Sequence, residues 1–234
     1  MTWIQMPPAQ GRFPRPVWLE RPVVFTDDPM PGLPPRVFLL SPARAGGERM
    51  GLLLNPRAAF ALASEFQQKG AAVGALFEFA SGLYFRGKLA YARAFGRGPR
   101  GGSGGLAIVP GRGLMDVEQR ITAEELRAIG EVPVDVRDAR YREALVRDAE
   151  LLASRLGKRG EAVLLGSIAT GKYADLLLDI LGDRLLFPPS FVGRGDMSRG
   201  GLLLRCVRAG MELPYAPLQG AIRHGPRPPK LPRY

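Results

Sequence analysis

Residues 162–172 read Ala-Val-Leu-Leu-Gly-Ser-Ile-Ala-Thr-Gly-Lys, and this stretch decides the fold class. Four apolar residues ending at Gly166 read as a short buried strand. The glycine-bearing turn that follows leads into an apolar run, Lys172–Leu181, with the character of a helix. A strand that feeds a helix through a short turn is the repeating unit of an α/β sheet.

The same alternation extends outward in both directions. Arg36–Leu40, 51–54, Leu106–Val109 and Leu185–Phe187 read as further strands. Helices are expected over 56–69, with Pro56 in the first turn and Gly70 as the stop, and over 84–95. Thr122 and Glu125 have the spacing of a capping box for a helix through Ile129. Tyr141, Leu145, Ala149, Leu152 and Leu156 recur every three or four residues, the mark of an amphipathic helix over 138–156. A last helix is expected over 197–209. The pattern implies an α/β fold over 36–213: a mostly parallel sheet flanked by helices, in a Rossmann-like three-layer arrangement. Nine of the 22 prolines fall in residues 1–35 and six in 214–234, which predicts an extended arm at the N-terminus and a basic, extended tail at the C-terminus. Residues 96–105 hold six glycines and read as a flexible loop.

In sheets of this kind ligands bind beyond the carboxyl ends of the strands, so the loops at 41–50, 110–116, 166–171 and 188–200 carry the candidate sites. Gly166, Gly171 and Lys172 have the spacing of a phosphate-binding P-loop, whose next residue is Ser or Thr for magnesium. Here it is Tyr173, which argues against NTPase chemistry. Two readings remain: an anion- or nucleotide-binding turn using Ser167, Thr170 and Lys172, or a turn in which Thr170 merely caps its helix. In the segment 191–201, Arg194, Ser198 and Arg199 supply donors among glycines. Asp196 is a carboxylate for catalysis or a helix cap. Ser81–Arg93 interleaves Tyr84, Phe85 and Tyr91 with Arg86, Lys88 and Arg93, a pattern suited to stacking bases and holding phosphates, or to a core stripe. Arg44 and Arg112 follow predicted strands.

The formal net charge is +11, from 33 basic and 22 acidic residues, and 28 of the 33 are Arg. Arg suits phosphate, although a GC-rich genome also favours it. Residues 79–115 contain six bases and no acid, and 220–234 contain four and none, so a polyanionic partner is expected. The expected partner is DNA or RNA, or a phosphate-bearing nucleotide. One cysteine, Cys206, and one histidine, His224, exclude an internal disulfide and argue against a metal site or a His-based triad. No cofactor is expected. Neither a secretory signal nor a stretch of about 18 apolar residues is visible, so a cytoplasmic location without membrane contact is expected.

The order of these pieces resembles the Rossmann-related proteins around the YaaA peroxide-stress family. The features are a strand ending in Ser41-Pro42, a helix carrying Tyr and a basic residue, and the turn Val109-Pro-Gly-Arg-Gly-Leu114. The similarity covers about residues 37–150, and it implies association with DNA, as for some members. Relatives often place His before the Gly-Leu step, where this chain has Arg112-Gly113.

Two functions follow as expectations. One is a metal-independent hydrolase or glycosylase acting on an N-glycosidic bond of a nucleotide or of DNA. Asp196 would be its carboxylate, Arg44, Arg194 and Arg199 would hold phosphate, and Tyr84 would stack on the base. The other is a non-catalytic DNA- or RNA-binding protein of repair or stress response.

Overall fold

The computed structural model describes residues 33–43, 46–229 and 231. In chain order the elements are β1 (Arg36–Leu40), α1 (Glu48–Leu54), α2 (Ala61–Lys69), β2 (Ala71–Ala72), α3 (Val73–Ser81), α4 (Leu83–Phe95), β3 (Gly105–Val109), β4 (Gly113–Asp116), β5 (Arg120–Ile121), α5 (Ala123–Gly130), α6 (Ala139–Leu156), β6 (Glu161–Leu165), α7 (Ala174–Leu181), β7 (Leu185–Phe187), α8 (Asp196–Ala209) and β8 (Ala216–Pro217).

Six strands form one sheet in the order β4-β3-β1-β6-β7-β8. β1 runs parallel to β3 and β6, and β6 parallel to β7. β4 and β8 close the two edges antiparallel. The α/β class and the mostly parallel sheet expected from the sequence are present. Along β1, Phe38 and Leu40 join one apolar cluster with Val163, Leu165 and residues of α4 and α8. Val37 and Leu39 join a second cluster with Ala162, Leu164 and residues of α6 and α7. Both faces of the sheet are thus covered, which is why its central strands are continuously apolar rather than alternating.

From β1 the chain passes to β3 and β4 on one side and returns to β6 on the other. Such a reversal opens a crevice beyond the carboxyl ends of the strands on either side of it. One wall of that crevice is set by α4 and α8, which pack along much of their length. At their crossing the backbones nearly touch: a Cβ on Gly87 would lie 2.7 Å from the Gly200 carbonyl oxygen, and one on Gly200 would lie 2.6 Å from the Leu83 carbonyl oxygen. Gly82, at φ 61°, separates α3 from α4. The left-handed region comes at little cost to glycine, so the chain can turn there and start the second helix at once.

Several expectations change. Residues 51–54 belong to α1, not to a strand. Met50 and Leu53 are buried three residues apart while Leu52 is half exposed, a helical face that a run of three leucines disguises. The helix expected over 56–69 starts only at Ala61. The Asn55 side chain accepts from the Arg57 N–H at 2.9 Å and holds the preceding residues in a turn. Residues 71–81, without an expected element, form β2 and α3. The turn at 110–115 runs on into β4 and makes a hairpin with β3. α7 begins at Ala174, so Lys172 stands just before the helix. The glycine-rich segment 96–105 is pinned: Arg36 and Arg97 exchange backbone hydrogen bonds of 2.8 and 2.9 Å, and a Cβ on Gly104 would lie 2.5 Å from the Gly96 carbonyl carbon. Gly96, Gly98 and Gly104 serve close backbone approach, while Gly101 has open space around it.

Of the proline-rich ends, residues 1–32, 230 and 232–234 lie outside the described residues. The described part of the C-terminal segment packs on the body: Leu218 is buried and Arg223 pairs with Asp175 at 2.6 Å. The Pro226 carbonyl lies against Gly193. Among the described residues no helix is long and apolar enough to cross a membrane.

The glycine crossing yields a paired prediction. Ala at an ordinary helical glycine stabilises by about 0.5–1 kcal/mol, and Gly51, with no atom within 4 Å of its would-be Cβ, is expected to show that gain. Gly87→Ala is expected to destabilise instead, by about 1–3 kcal/mol, because the added methyl overpacks a backbone contact. Urea unfolding of the two variants against the parent checks both signs.

Candidate functional site

The crevice is a cleft of about 550 Å³ at the carboxyl ends of β1, β3 and β6. β1 delivers Ser41 to its floor, the β3–β4 turn delivers Pro110, and the segment after β6 delivers Ser167, Lys172 and Tyr173. α4 contributes Tyr84 and Lys88, and the first turn of α8 contributes Asp196 and Met197. Each position follows from local structure. Pro42 ends β1 after one polar residue, since proline cannot continue a ladder. Tyr84 and Lys88 stand four apart on α4 and so share a face.

The centre of the cleft is Lys88. It is 2% exposed, and its Nζ donates to the Ser41 carbonyl oxygen at 2.8 Å and lies 2.9 Å from Ser41 Oγ. The Tyr84 and Phe85 rings flank it at 4.5 and 4.6 Å from Nζ. Burial lowers the Lys88 ammonium to about 7; the Asp196 carboxylate opposes this shift and the Arg199 cation adds to it. Tyr84 is buried too, and among the described residues its hydroxyl has no hydrogen-bond partner. Burial raises its pKa well above the ordinary value, against the opposing pull of the Arg199 cation, so it remains a protonated donor at neutral pH.

Tyr173 donates to the Ser167 carbonyl at 2.9 Å. Burial raises this phenol as well, while hydrogen bonding with Ser41 lowers it. Tyr173 and Ser41 meet over Gly166, where a Cβ would lie 2.9 Å from the phenol oxygen and 2.7 Å from Ser41 Cβ. The Ser41 N–H continues the β1–β6 ladder to the Leu165 carbonyl at 3.2 Å, which holds the serine in register.

The structure gathers Tyr84, Lys88, Ser167, Lys172 and Asp196 of the expected site residues in one cleft. Arg44 lies outside the described residues, next to Pro42 and Ala43, which line the cleft. The other expected residues do not line it. Arg86 and Thr170 are exposed, and Thr170 caps nothing, since the residue before α7 is Tyr173, without a side-chain cap. Arg112 pairs with Glu125 at 3.7 Å. Arg194 spends its guanidinium on the Ser190 carbonyl and on Ser198 Oγ, each at 3.0 Å. Arg199 is buried against the Phe191 carbonyl, at 3.1 and 3.0 Å, and reaches Asp196 at 3.2 Å. These two arginines brace the start of α8. Tyr84 packs edge-on against Phe191, and its hydroxyl lies on the cleft. Asp196 is two-thirds exposed at the rim.

Ser41 and Tyr173 were missing from the expected site. Ser41 carried a positional signal, a polar residue directly after an apolar strand. Tyr173 carried none, because only the packing over Gly166 turns it toward Ser41. The basic stretch is also redistributed in space. Arg93 pairs with Glu118, Arg97 with Glu212 and Arg112 with Glu125, while Lys88 is inside.

Comparisons of the chain with protein-family models, curated proteins and solved structures find no match.

Lys88 makes stability depend on pH with a definite sign. Its folded-state value lies near 7, below the ordinary 10.5. Between those values the unfolded chain binds a proton that the folded chain does not, so stability rises with pH across this window. The slope for this one group approaches ~1.4 kcal/mol per pH unit. Below pH 7 the contribution is flat and at its least favourable. Lys88→Met is expected to remove the slope, and denaturant unfolding of both proteins from pH 6 to 10 measures the difference.

Proposed function

We propose that the protein binds a nucleotide, or an unstacked nucleotide of DNA or RNA, in this cleft and cleaves its N-glycosidic bond. The observation that carries the reading is the convergence of Tyr84, Lys172 and Asp196, from three separate segments, on one cleft beyond the sheet's carboxyl ends. A volume of about 550 Å³ suits a ligand of nucleotide size. Asp196 is the carboxylate that activates water or supports positive charge on the sugar. Lys172, exposed at the rim beside the glycine turn, holds the phosphate. A substrate within a duplex would have to be flipped out of the stack. The strand order and the switch at β1 fit a Rossmann-like relationship. Kinship with the YaaA peroxide-stress proteins is part of the same proposal, carried by Ser41-Pro42 and the Gly113-Leu114 turn.

Asp196→Asn is expected to lower base release at least 100-fold, the usual reach of a positioned acid or base, and to leave ligand affinity within a few-fold. Chromatography of free base from nucleosides, nucleotides and base-damaged DNA measures the first, and fluorescence anisotropy the second. Equal turnover in the variant would overturn the role of Asp196.

A second reading, non-catalytic binding of DNA or RNA, draws on the net charge of +11. It predicts affinity that falls steeply with salt as counterions are released from phosphate. Because three of the six bases in 79–115 are ion-paired and Lys88 is buried, that segment supplies fewer phosphate contacts than its sequence suggests. Salt-steep binding with no base release from any substrate would favour this reading over the first.

A further inference from the structure

The N-glycosidic reading leaves the floor of the cleft unused. There a serine hydroxyl lies 2.9 Å from a lysine amine, at the end of a central strand where the backbone ladder fixes it. The lysine is sealed from water, and its amine has a second partner in the Ser41 carbonyl at 2.8 Å, which fixes where its remaining valences point. Tyr173 packs on the other side of the serine over Gly166. Tyr84, on the same cleft, carries a buried hydroxyl that makes no hydrogen bond of ordinary geometry among the described residues, with the Arg199 guanidinium as its close polar neighbour.

We infer that Ser41 and Lys88 form a nucleophile–base pair acting on an ester or amide carbonyl, with the Tyr84 hydroxyl donating to the oxygen on which charge develops. A serine is a poor nucleophile unless an adjacent base takes its proton, and a desolvated lysine is one of the groups that does so. The steps balance with water as the co-reactant. Ser41 Oγ forms a bond to the carbonyl carbon while its proton passes to the neutral Lys88 amine. The carbonyl π pair moves onto oxygen, where Tyr84 stabilises it. As the carbonyl re-forms, the bond to the leaving alkoxide or amine breaks with its electron pair, and the leaving group takes the proton from Lys88. Water then attacks the Ser41 ester and yields its proton to Lys88. The acid departs, and Ser41 recovers the proton.

The groups facing Lys88 are consistent with a neutral amine near pH 7. Ser41 follows the end of β1 and Tyr84 comes from the lysine's own helix. Asp196 and Arg199 from α8 oppose one another, the carboxylate favouring the ammonium and the guanidinium disfavouring it. Burial pulls the ammonium down to about 7.

The test uses the full chain with a fluorophosphonate probe, which phosphonylates an activated serine, and with p-nitrophenyl acetate. One adduct per chain is expected by intact mass, mapped to Ser41 by peptide fragmentation, with a labelling rate that rises sigmoidally about a midpoint near pH 7. An early burst of p-nitrophenol is expected to match the enzyme concentration. Ser41→Ala is expected to abolish both signals. Lys88→Arg keeps a cation and hydrogen-bond donors beside Ser41 but cannot serve as a base at these pH values, so it is expected to label at least 100-fold more slowly. Parent-like labelling in Lys88→Arg would reduce Lys88 to a structural tie and overturn the inference. So would failure of the parent protein to label at Ser41, or labelling whose rate ignores pH, neither of which depends on a variant folding. Because base release is a separate assay, the N-glycosidic reading can fail while this one stands, and the reverse.

Discussion

The backbone contact between α4 and α8 is the constraint on which the cleft depends. Gly87 and Gly200 let the two helices approach until a Cβ on either would collide with the other's backbone. Their neighbours in sequence are the site. Lys88 follows Gly87 and Tyr84 precedes it by three, while Arg199 precedes Gly200 and Asp196 lies a turn earlier. The crossing therefore carries the first turn of α8 to the mouth of the cleft and presses Tyr84 against Phe191. Arg199 reinforces the arrangement through its two hydrogen bonds to the Phe191 carbonyl, which anchor the start of the helix. A wider crossing, as larger residues would impose, separates the α4 groups from those of α8.

A lysine at the bottom of such a cleft is costly. Moving a charge out of water is expensive unless partners compensate, and Lys88 has two contacts to one serine and two flanking rings. A tie of α4 to the end of β1 needs no ionisable group, since apolar packing of similar volume serves stability as well or better. Retaining the amine makes physical sense where its proton is used. Titratable groups shifted by burial beside a nucleophile are the arrangement catalysis requires, and here the shifted groups, Lys88, Tyr84 and Tyr173, all touch the cleft containing Ser41.

Charge along the chain and charge in space differ. An acid-free run of 37 residues looks like a polyanion-binding strip when read linearly. Folding brings Glu118, Glu212 and Glu125 to three of its arginines, from 13 to 115 residues away in sequence. The two more exposed pairs, Arg93–Glu118 and Arg112–Glu125, contribute little to stability, but all three lower the local positive potential. The ionic network at the far end of the sheet, where Arg36 bridges Glu161 and Glu212 at 2.7 Å each, likewise consumes cations that composition alone would assign to a ligand.

The sequence by itself determined the class of fold, because apolar runs bounded by Gly and Pro encode buried parallel strands locally. Residues 36–40, 106–109, 162–165 and 185–187 all lie in the sheet, and the capping box at Thr122 forms as its spacing implies. Local pattern failed where two structures share one pattern: the leucines of 51–54 suit a strand until the buried face of α1 is known. Glycine also has two uses that one pattern does not separate: Gly96, Gly98 and Gly104 serve close packing, while Gly101 stands in open space. For the site, chain position identified the loops at the strands' carboxyl ends, and five of the expected residues meet there. The tertiary structure alone decided the rest. The Ser41–Lys88 contact spans 47 residues, the turn of Tyr173 toward Ser41 depends on Gly166, and the bracing roles of Arg194 and Arg199 depend on the Ser190 and Phe191 carbonyls of the segment before α8. Such partnerships are set by which elements pack together, and no single segment encodes that.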